Sequence, residues 1–273
     1  MIDDIFIIYC LPLWQDLTIL PKADLVLKDC ISAEAMVLRA QEMGAKKFVY
    51  YSFPRHMSLS SVSQLRDLTK ETCERTGIEF IYLDAPDPSN NSPAITQQFI
   101  LEDVPNQVEI HGKDTAFFGT NCSMQSALVD SVVRAGAIYI QPCCPSPYLG
   151  VSQALGINGK DASGAYDYSQ TPGEINSKIS GILSEKNMSG RISNYALSDS
   201  MLFTFAAAEY GIKWMNNEVS KENIDLEVLE QLMGGCIAEY AGVENINVTC
   251  TPVSEDGKLY PNFLSVLQDY LVY

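Results

Sequence analysis

Arginine, histidine, asparagine and cysteine side chains stand at points where apolar runs of this chain end. Arg55 and His56 follow the apolar, aromatic run 48–52 and the intervening Pro54. Proline lacks the backbone N–H that a central strand needs, so the chain must turn there. A guanidinium in such a loop can form a fork to a carboxylate or phosphate, and an imidazole can hydrogen-bond a hydroxyl group. The alternative is a surface loop in which Arg55 pairs with one of the many acidic side chains.

The same layout recurs twice further along the chain. Asn121 and Cys122 follow one apolar run, and Cys143 and Cys144 follow the next, between two prolines. Asn121 could contact a ligand or cap the helix that follows, and both roles can hold together. The cysteine pair could supply a thiolate, a metal ligand or a strained disulfide. Because no histidine is near it in sequence, buried apolar thiols are the better supported alternative.

The elements that must position these side chains alternate between strand and helix up to Leu155. The predicted strands span 5–9, 23–27, 48–52, 79–83, 115–118 and 137–141, and the predicted helices span 33–43, 58 or 60 to 76, 95–104 and 124–135. Glycines at 44, 77 and 136 mark helix ends. Strict alternation predicts an α/β fold with doubly wound parallel sheets and right-handed crossovers.

Parallel strands of one sheet end on the same side, so we expect the polar groups at these ends to share one crevice. Asp84 and Asp87 could act as a carboxylate pair there, or form an Asx turn beside their prolines. No catalytic residue, metal or cofactor is predicted, because the cysteines lack the spacing or histidine pairing of a zinc site. The predicted ligand-binding residues are Ser52, Phe53, Arg55, His56, Asp87, Asn121, Cys122, Gln125, Cys143 and Tyr148.

The pattern loosens in the second half of the chain. A polar, glycine-containing stretch over 156–172 predicts a long loop. Helices are predicted over 174–185, 198–215, 224–240 and 262–270, and strands over 191–197 and 247–252.

Composition excludes several classes of function. The net charge is −16 and the pI about 4.4, with no cluster of Lys and Arg, which argues against nucleic acid and anionic membranes as partners. No apolar run approaches the roughly 20 residues of a membrane span. The first residues lack the basic region of a signal peptide, so none is expected.

Four long motifs resemble a clostridial-type bacterial family of unknown function. They are residues 51–58 (YSFPRHMS), 99–105 (FILEDVP), 116–122 (AFFGTNC) and 143–148 (CCPSPY). The resemblance implies a type I periplasmic-binding-protein fold, with two doubly wound lobes that hold a solute between them. It also implies a membrane-anchored lipoprotein outside the cytoplasm, and it allows an ABC-type transporter as a partner.

The chain departs from that family at its start, where only two strands precede the helix over 33–43. The first lobe is therefore expected to be incomplete and to favour self-association through an open sheet edge. The predicted lobes are 1–46 with about 190–217, and 47–189 with about 218–273.

Three functions are compatible with these features. The favoured one is a non-catalytic solute-binding or sensing protein for a small polar ligand, which an anionic group would suit. The second is a two-cysteine isomerase resembling amino-acid racemases, with Cys10 and Cys122 as acid and base. Both cysteines lack the flanking sequence of such enzymes. The third is the ligand-sensing domain of a transcriptional regulator without its DNA-binding part.

Overall fold

The computed structural model describes residues 5–11, 18, 22–90, 92–157 and 169–273. The chain forms two compact units, of which unit 1 comprises Met1–Cys30 and Leu197–Asp269. Unit 2 comprises Ile31–Ala196 and Tyr270–Tyr273. Most of the loop predicted over 156–172 lies outside the described residues.

The strands of the described residues are, in chain order, β1 (Ile8–Cys10), β2 (Leu25–Asp29), β3 (Lys47–Ser52), β4 (Glu79–Asp84), β5 (Thr115–Gly119), β6 (Ile138–Tyr139), β7 (Ser193–Asn194), β8 (Val248–Glu255), β9 (Lys258–Gln268) and β10 (Leu271–Val272). The helices are α1 (Ala33–Glu42), α2 (Pro54–Met57), α3 (Ser60–Thr76), α4 (Pro93–His111), α5 (Gln125–Ala135), α6 (Val151–Ala154), α7 (Pro172–Glu185), α8 (Asp199–Met215) and α9 (Leu226–Cys236). A 3₁₀ turn (Cys122–Met124) precedes α5, and a π-helical turn (Ile237–Ala241) follows α9.

Four parallel strands form the main sheet of unit 2, in the order β4-β3-β5-β6. Strands β7 and β10 form a small antiparallel pair, and an isolated parallel bridge joins Ile192 to Tyr139 of β6. The parallel sheet and its helical connections confirm the predicted α/β class. Helices α3 and α5 end at Gly77 and Gly136, as predicted, and both glycines have the positive φ that favours this residue.

Side-chain alternation along β3 explains why this sheet needs helices on both faces. Val49 and Tyr51 point into a core shared with buried residues of α4, α5 and α7. Tyr50 lies on the opposite face, where its ring contacts Phe118. Arg66 of α3 lies over the ring of Tyr82 on the neighbouring strand. The wholly apolar run of β3 is therefore that of a strand covered on both sides.

Unit 1 is built on a mixed sheet in the order β1-β2-β9-β8. Strand β2 pairs in parallel with both β1 and β9, and β8 pairs antiparallel with β9. Val26, Val253 and Phe263 form a buried apolar cluster on this sheet. Helix α8 packs against β1 and α9, and α9 packs against β8.

The helix predicted over 262–270 is wrong, because that segment forms most of β9. One side of β9 pairs with β2 and the other with β8, which fixes it as a central strand. The signal that could have revealed this is Asp256-Gly257, which joins β8 to β9 with φ values of 50° and 75°. Asp-Gly is a preferred two-residue hairpin turn, since both positions need positive φ.

These pairings also divide the chain at points other than the predicted lobe boundaries. The segment 218–269 belongs with unit 1 because β8 and β9 extend the sheet of β2. Residues 31–46 belong with unit 2, where α1 packs against α3. The strand predicted over 191–197 is limited to β7, which pairs with β10 rather than with β1. Strand β1 lies at one end of the sheet of unit 1, and β8, which pairs with β9, lies at the other end.

None of the helices in the described ranges is both long and apolar enough to cross a membrane.

Candidate functional site

The loops that follow β3, β4, β5 and β6 all lie at one edge of the parallel sheet of unit 2. Residue pairing places the last residue of β3, Ser52, beside Asp84 of β4, and Tyr51 beside Gly119 of β5. The carboxyl ends of these strands therefore lie next to one another. We call the loops at these ends the carboxyl edge.

Ser52, Thr120 and His56 form a hydrogen-bonded chain that connects the loops after β3 and β5. Thr120 Oγ1 lies 2.8 Å from Ser52 Oγ and 3.1 Å from His56 Nδ1. The imidazole also stacks on Phe53, with ring centroids 4.1 Å apart. Burial lowers the pKa of His56, and the nearby Arg55 charge lowers it further. His56 is therefore neutral near pH 7. Thr120 Oγ1 can donate to Nδ1, and in that tautomer the imidazole carries its proton on Nε2.

Arg55 and Asp87 form a forked ion pair between the loops after β3 and β4. Arg55 Nε lies 2.8 Å from Asp87 Oδ2, and Nη2 lies 3.1 Å from Oδ1. The fork holds the pKa of the Asp87 carboxyl below its usual value. Asp87 also accepts from the backbone N–H of Ser89 at 2.8 Å, which is the Asx turn proposed from the sequence. Asp84 instead accepts from the hydroxyl of Tyr82.

A buried amide holds the loop after β5. Gln125 Nε2 donates to the carbonyl oxygens of Gly119 and Asn121 at 2.8 and 2.9 Å. Gln125 Oε1 accepts from the hydroxyl of Tyr139 at 2.7 Å. Asn121 Oδ1 accepts from the backbone N–H of Ser123 at 3.0 Å, so the side chain caps the 3₁₀ turn. It does not cap the helix itself as predicted, because the N-cap residue of α5 is Met124, which makes no side-chain capping bond.

Three of the predicted ligand contacts support the carboxyl edge instead of lining it. Ser52, Phe53 and Gln125 have no exposed surface. Their side chains pack against or hydrogen-bond the residues that face solvent. Sequence position alone could not separate these residues from their exposed neighbours, and Thr120, which links Ser52 to His56, was missed for the same reason.

Three cysteine thiols meet at the carboxyl edge. Cys122 Sγ lies 3.3 Å from Cys143 Sγ and 3.6 Å from Cys144 Sγ, and the latter two are 3.9 Å apart. Hydrogen bonds from Cys143 and Cys144 lower the pKa of Cys122. Hydrogen bonds with Cys122 and Cys144, together with burial, raise the pKa of Cys143. The structure thus joins residues 21 and 22 positions apart, which no local spacing could have indicated.

Tyr148 also lies in the loop after β6, where its hydroxyl donates to the carbonyl of Gln170 at 3.0 Å and so anchors that loop. Cys10 belongs to unit 1, where its thiol approaches the carbonyl of Phe203 and burial raises its pKa. Unit 1 also contains a groove between α8 and α9, whose lining includes Phe205 and Glu239. None of the predicted site residues lines that groove.

Three polar donors at the carboxyl edge have no hydrogen-bond partner in the described part of the chain. They are Nη1 of Arg55, Nε2 of His56 and Nδ2 of Asn121. Each of these side chains uses its other polar atoms within the protein. Arg55 adjoins His56 in sequence and Asn121 adjoins Thr120, so the Thr120–His56 bond brings the three residues together.

Comparison with known proteins shows that residues 1–193 match a family described as protein of unknown function, DUF3798. An uncharacterised protein of Treponema pallidum (strain Nichols) is 27% identical over 128 residues, which are 46% of this chain and 57% of that protein. A further match from the same organism is 38% identical over 69 residues, or 24% of this chain and 31% of that one. The matched part of the chain therefore spans just over half of the first relative and about a third of the second.

A solved structure from Clostridium difficile 630, described as a proposed transcriptional regulator, superposes with a TM-score of 0.79. The two proteins are 25% identical, and the match covers 96% of this chain and 71% of the other. The two share one fold over nearly the whole of this chain.

Proposed function

The chain belongs to the DUF3798 family, and we propose that it binds a small polar ligand at the carboxyl edge of unit 2, without catalysis. The observation that carries this proposal is the group of unpaired donors on Arg55, His56 and Asn121. The other hydrogen bonds of these side chains already hold the donors in place, so the side chains lose little further conformational freedom when a ligand binds.

The chemistry of these groups favours a ligand that accepts hydrogen bonds. A carboxylate would suit Nη1 of Arg55, whose side chain is 47% exposed, together with the two neutral donors. Asp87 already balances much of the guanidinium charge, so the site selects for acceptor geometry more than for a high negative charge. Small carboxylic acids, including amino acids, are therefore the proposed ligand class.

A sensing domain of a transcriptional regulator is the second candidate. The similarity to the Clostridium difficile structure supports it, because that protein is described as a proposed transcriptional regulator. The acidic composition, with a net charge of −16, supports a ligand-sensing part rather than a DNA-binding part. Solute delivery to an ABC-type transporter and attachment outside the cytoplasm belong to the first candidate and share the same ligand site.

The proposal is tested by identifying the ligand and removing its contacts. Small molecules released from the denatured protein are identified by mass spectrometry, and a panel of amino acids and organic acids is screened by thermal shift. Binding of each hit is then measured by calorimetry in Asn121→Ala, His56→Gln and Arg55→Ala. Loss of a hydrogen bond to a charged group costs about 1.5–3 kcal/mol, so the dissociation constant should rise about 10- to 150-fold per variant.

The chain supplies matched controls. His111→Gln changes the other histidine of the chain, at the end of α4, and Arg134→Ala removes an arginine that pairs with Asp130 on α5. Both should bind as the wild type does. A dissociation constant unchanged in all three edge variants would place the ligand elsewhere. Exchange of an amino-acid α-proton with solvent, lost in Cys122→Ser, would contradict the absence of catalysis.

A further inference from the structure

The three thiols at the carboxyl edge have the spacing of ligands to one metal ion. Their sulfur atoms are 3.3, 3.6 and 3.9 Å apart. Zn–S bonds of about 2.3 Å in a tetrahedral site put neighbouring sulfurs about 3.8 Å apart, and a trigonal site of equal bond length puts them about 4.0 Å apart. Shifts of a few tenths of an ångström would therefore complete such a site. A disulfide needs an S–S distance of about 2.05 Å, so no two of these sulfurs are bonded to each other at the observed separations.

The two loops that carry the thiols are held by contacts independent of the sulfurs. The amide of Gln125 bonds the carbonyl that precedes Cys122, at Asn121. Cys143 and Cys144 stand between Pro142 and Pro145, both buried. Beyond them, the side chain of Asn194 accepts from the backbone N–H of Ser146 and donates to its carbonyl. The thiols are thus brought together by the fold and not by attraction between them.

Core packing does not explain this cluster, although it explains other cysteines of the chain. Cys73, Cys236 and Cys250 are buried. Cys122 and Cys144 are exposed and Cys143 is partly exposed, so the prediction of buried apolar thiols at Cys143 and Cys144 is wrong. The cluster therefore lies at the protein surface and not in the core.

We propose that Cys122, Cys143 and Cys144 bind a thiophilic d10 metal ion, Zn²⁺ or Cu⁺, as three thiolates. Cysteine sulfur selects these ions over hard cations such as Mg²⁺ and Ca²⁺. Binding releases the thiol protons to solvent, because the thiolate is the metal ligand. Among the described residues, no further His, Cys, Asp or Glu joins the cluster. A bound Zn²⁺ would therefore keep a fourth position for water or another small group, whereas Cu⁺ is satisfied by three sulfurs.

The test uses the whole chain, reduced and freed of metal, with each metal alone as the probe. Zn²⁺ affinity is measured by competition with a chromogenic chelator, and Cu⁺ affinity by competition with bicinchoninate without oxygen. The variants are Cys122→Ser, Cys143→Ser and Cys144→Ser, with Cys30→Ser of unit 1 as the matched control. X-ray absorption of the wild-type complex counts the sulfur neighbours and does not depend on how the variants fold.

The expected result is one ion per chain with three sulfur neighbours at about 2.3 Å. Each cluster variant should lose at least about 100-fold in affinity, more than outer-shell changes usually cost, and Cys30→Ser should bind as the wild type does. Fewer than three sulfur neighbours, or full affinity in any cluster variant, would overturn the proposal for that ion. Failure with both ions would overturn it entirely. Since no organic ligand is used, this outcome is separate from the fate of the proposed function.

Discussion

Tyr139→Phe tests how the carboxyl edge is held in place. The tyrosine and Gln125 are both fully buried, and the hydroxyl donates to Gln125 Oε1 at 2.7 Å. Phenylalanine keeps the ring and its packing but leaves that oxygen buried without its donor. An unpaired buried polar atom costs about 1–3 kcal/mol, so the free energy of unfolding should fall by that amount. For a unit of this size the melting temperature should fall by about 4–8 °C for a 2 kcal/mol loss.

The assay is thermal and urea unfolding followed by circular dichroism, within a double-variant cycle. Gln125→Met removes the oxygen that Tyr139→Phe would orphan, so the tyrosine change should cost about 0.5 kcal/mol or less in that background. Tyr82→Phe is the matched control, because its hydroxyl bonds Asp84 at the surface, and it should change stability by about 0.5 kcal/mol at most. Strictly additive effects of the two changes, or an unaltered Tyr139→Phe, would refute the hydrogen bond as the support of this loop.

Further predictions concern unit 1 and the helices. Burial raises the pKa of Asp199 to about 7, so the folded state keeps a proton that the unfolded state releases, and stability should fall as pH rises from about 4 to 7. In Asp199→Asn, the free energy of unfolding should fall by about 2–3 kcal/mol less over this pH range than in the wild type. The same pH dependence of unfolding in both proteins would contradict this prediction. Gly257→Ala should lower the free energy of unfolding by about 1–2 kcal/mol, because φ is 75° at this position. Gly181→Ala within α7 should instead raise it by up to about 1 kcal/mol. Equal effects of the two changes in urea unfolding would contradict this prediction. Tyr9 is 47% exposed on edge strand β1, so the chain should self-associate in light scattering, and Tyr9→Lys should reduce this self-association. A monomeric wild-type protein would contradict this prediction.

The sequence predicted the structure best where the pattern of apolar residues and the positions of proline and glycine indicate the same element boundaries. The apolar run of β3, the break at Pro54 and the glycine ends of α3 and α5 predicted the parallel sheet of unit 2 and the place of its loops. The same argument failed for β9, because apolar residues at 263, 264 and 267 fit a helix as well as a strand. Only the Asp256-Gly257 turn distinguishes a strand from a helix here. The pairing that makes β9 a central strand is with β2, which is far away in sequence.

The sequence predicted which loops form the carboxyl edge but not which side chains contact one another there. Strand order brings Arg55 and Asn121 to the same edge, which follows from parallel topology alone. Whether Arg55 faces a ligand or Asp87, and whether Cys122 meets Cys143, depends on side-chain placement across loops. No periodic pattern encodes that placement.

The most direct test of the ligand site is hydrogen–deuterium exchange with and without the compound identified by mass spectrometry. Slower exchange on binding is expected for backbone amides in 53–58 and 120–125, the segments that carry Arg55, His56 and Asn121. The outer surface of α5 and the β8–β9 hairpin should exchange at the same rate in both samples. Protection confined to 205–240, around the groove between α8 and α9, would contradict a ligand site at the carboxyl edge.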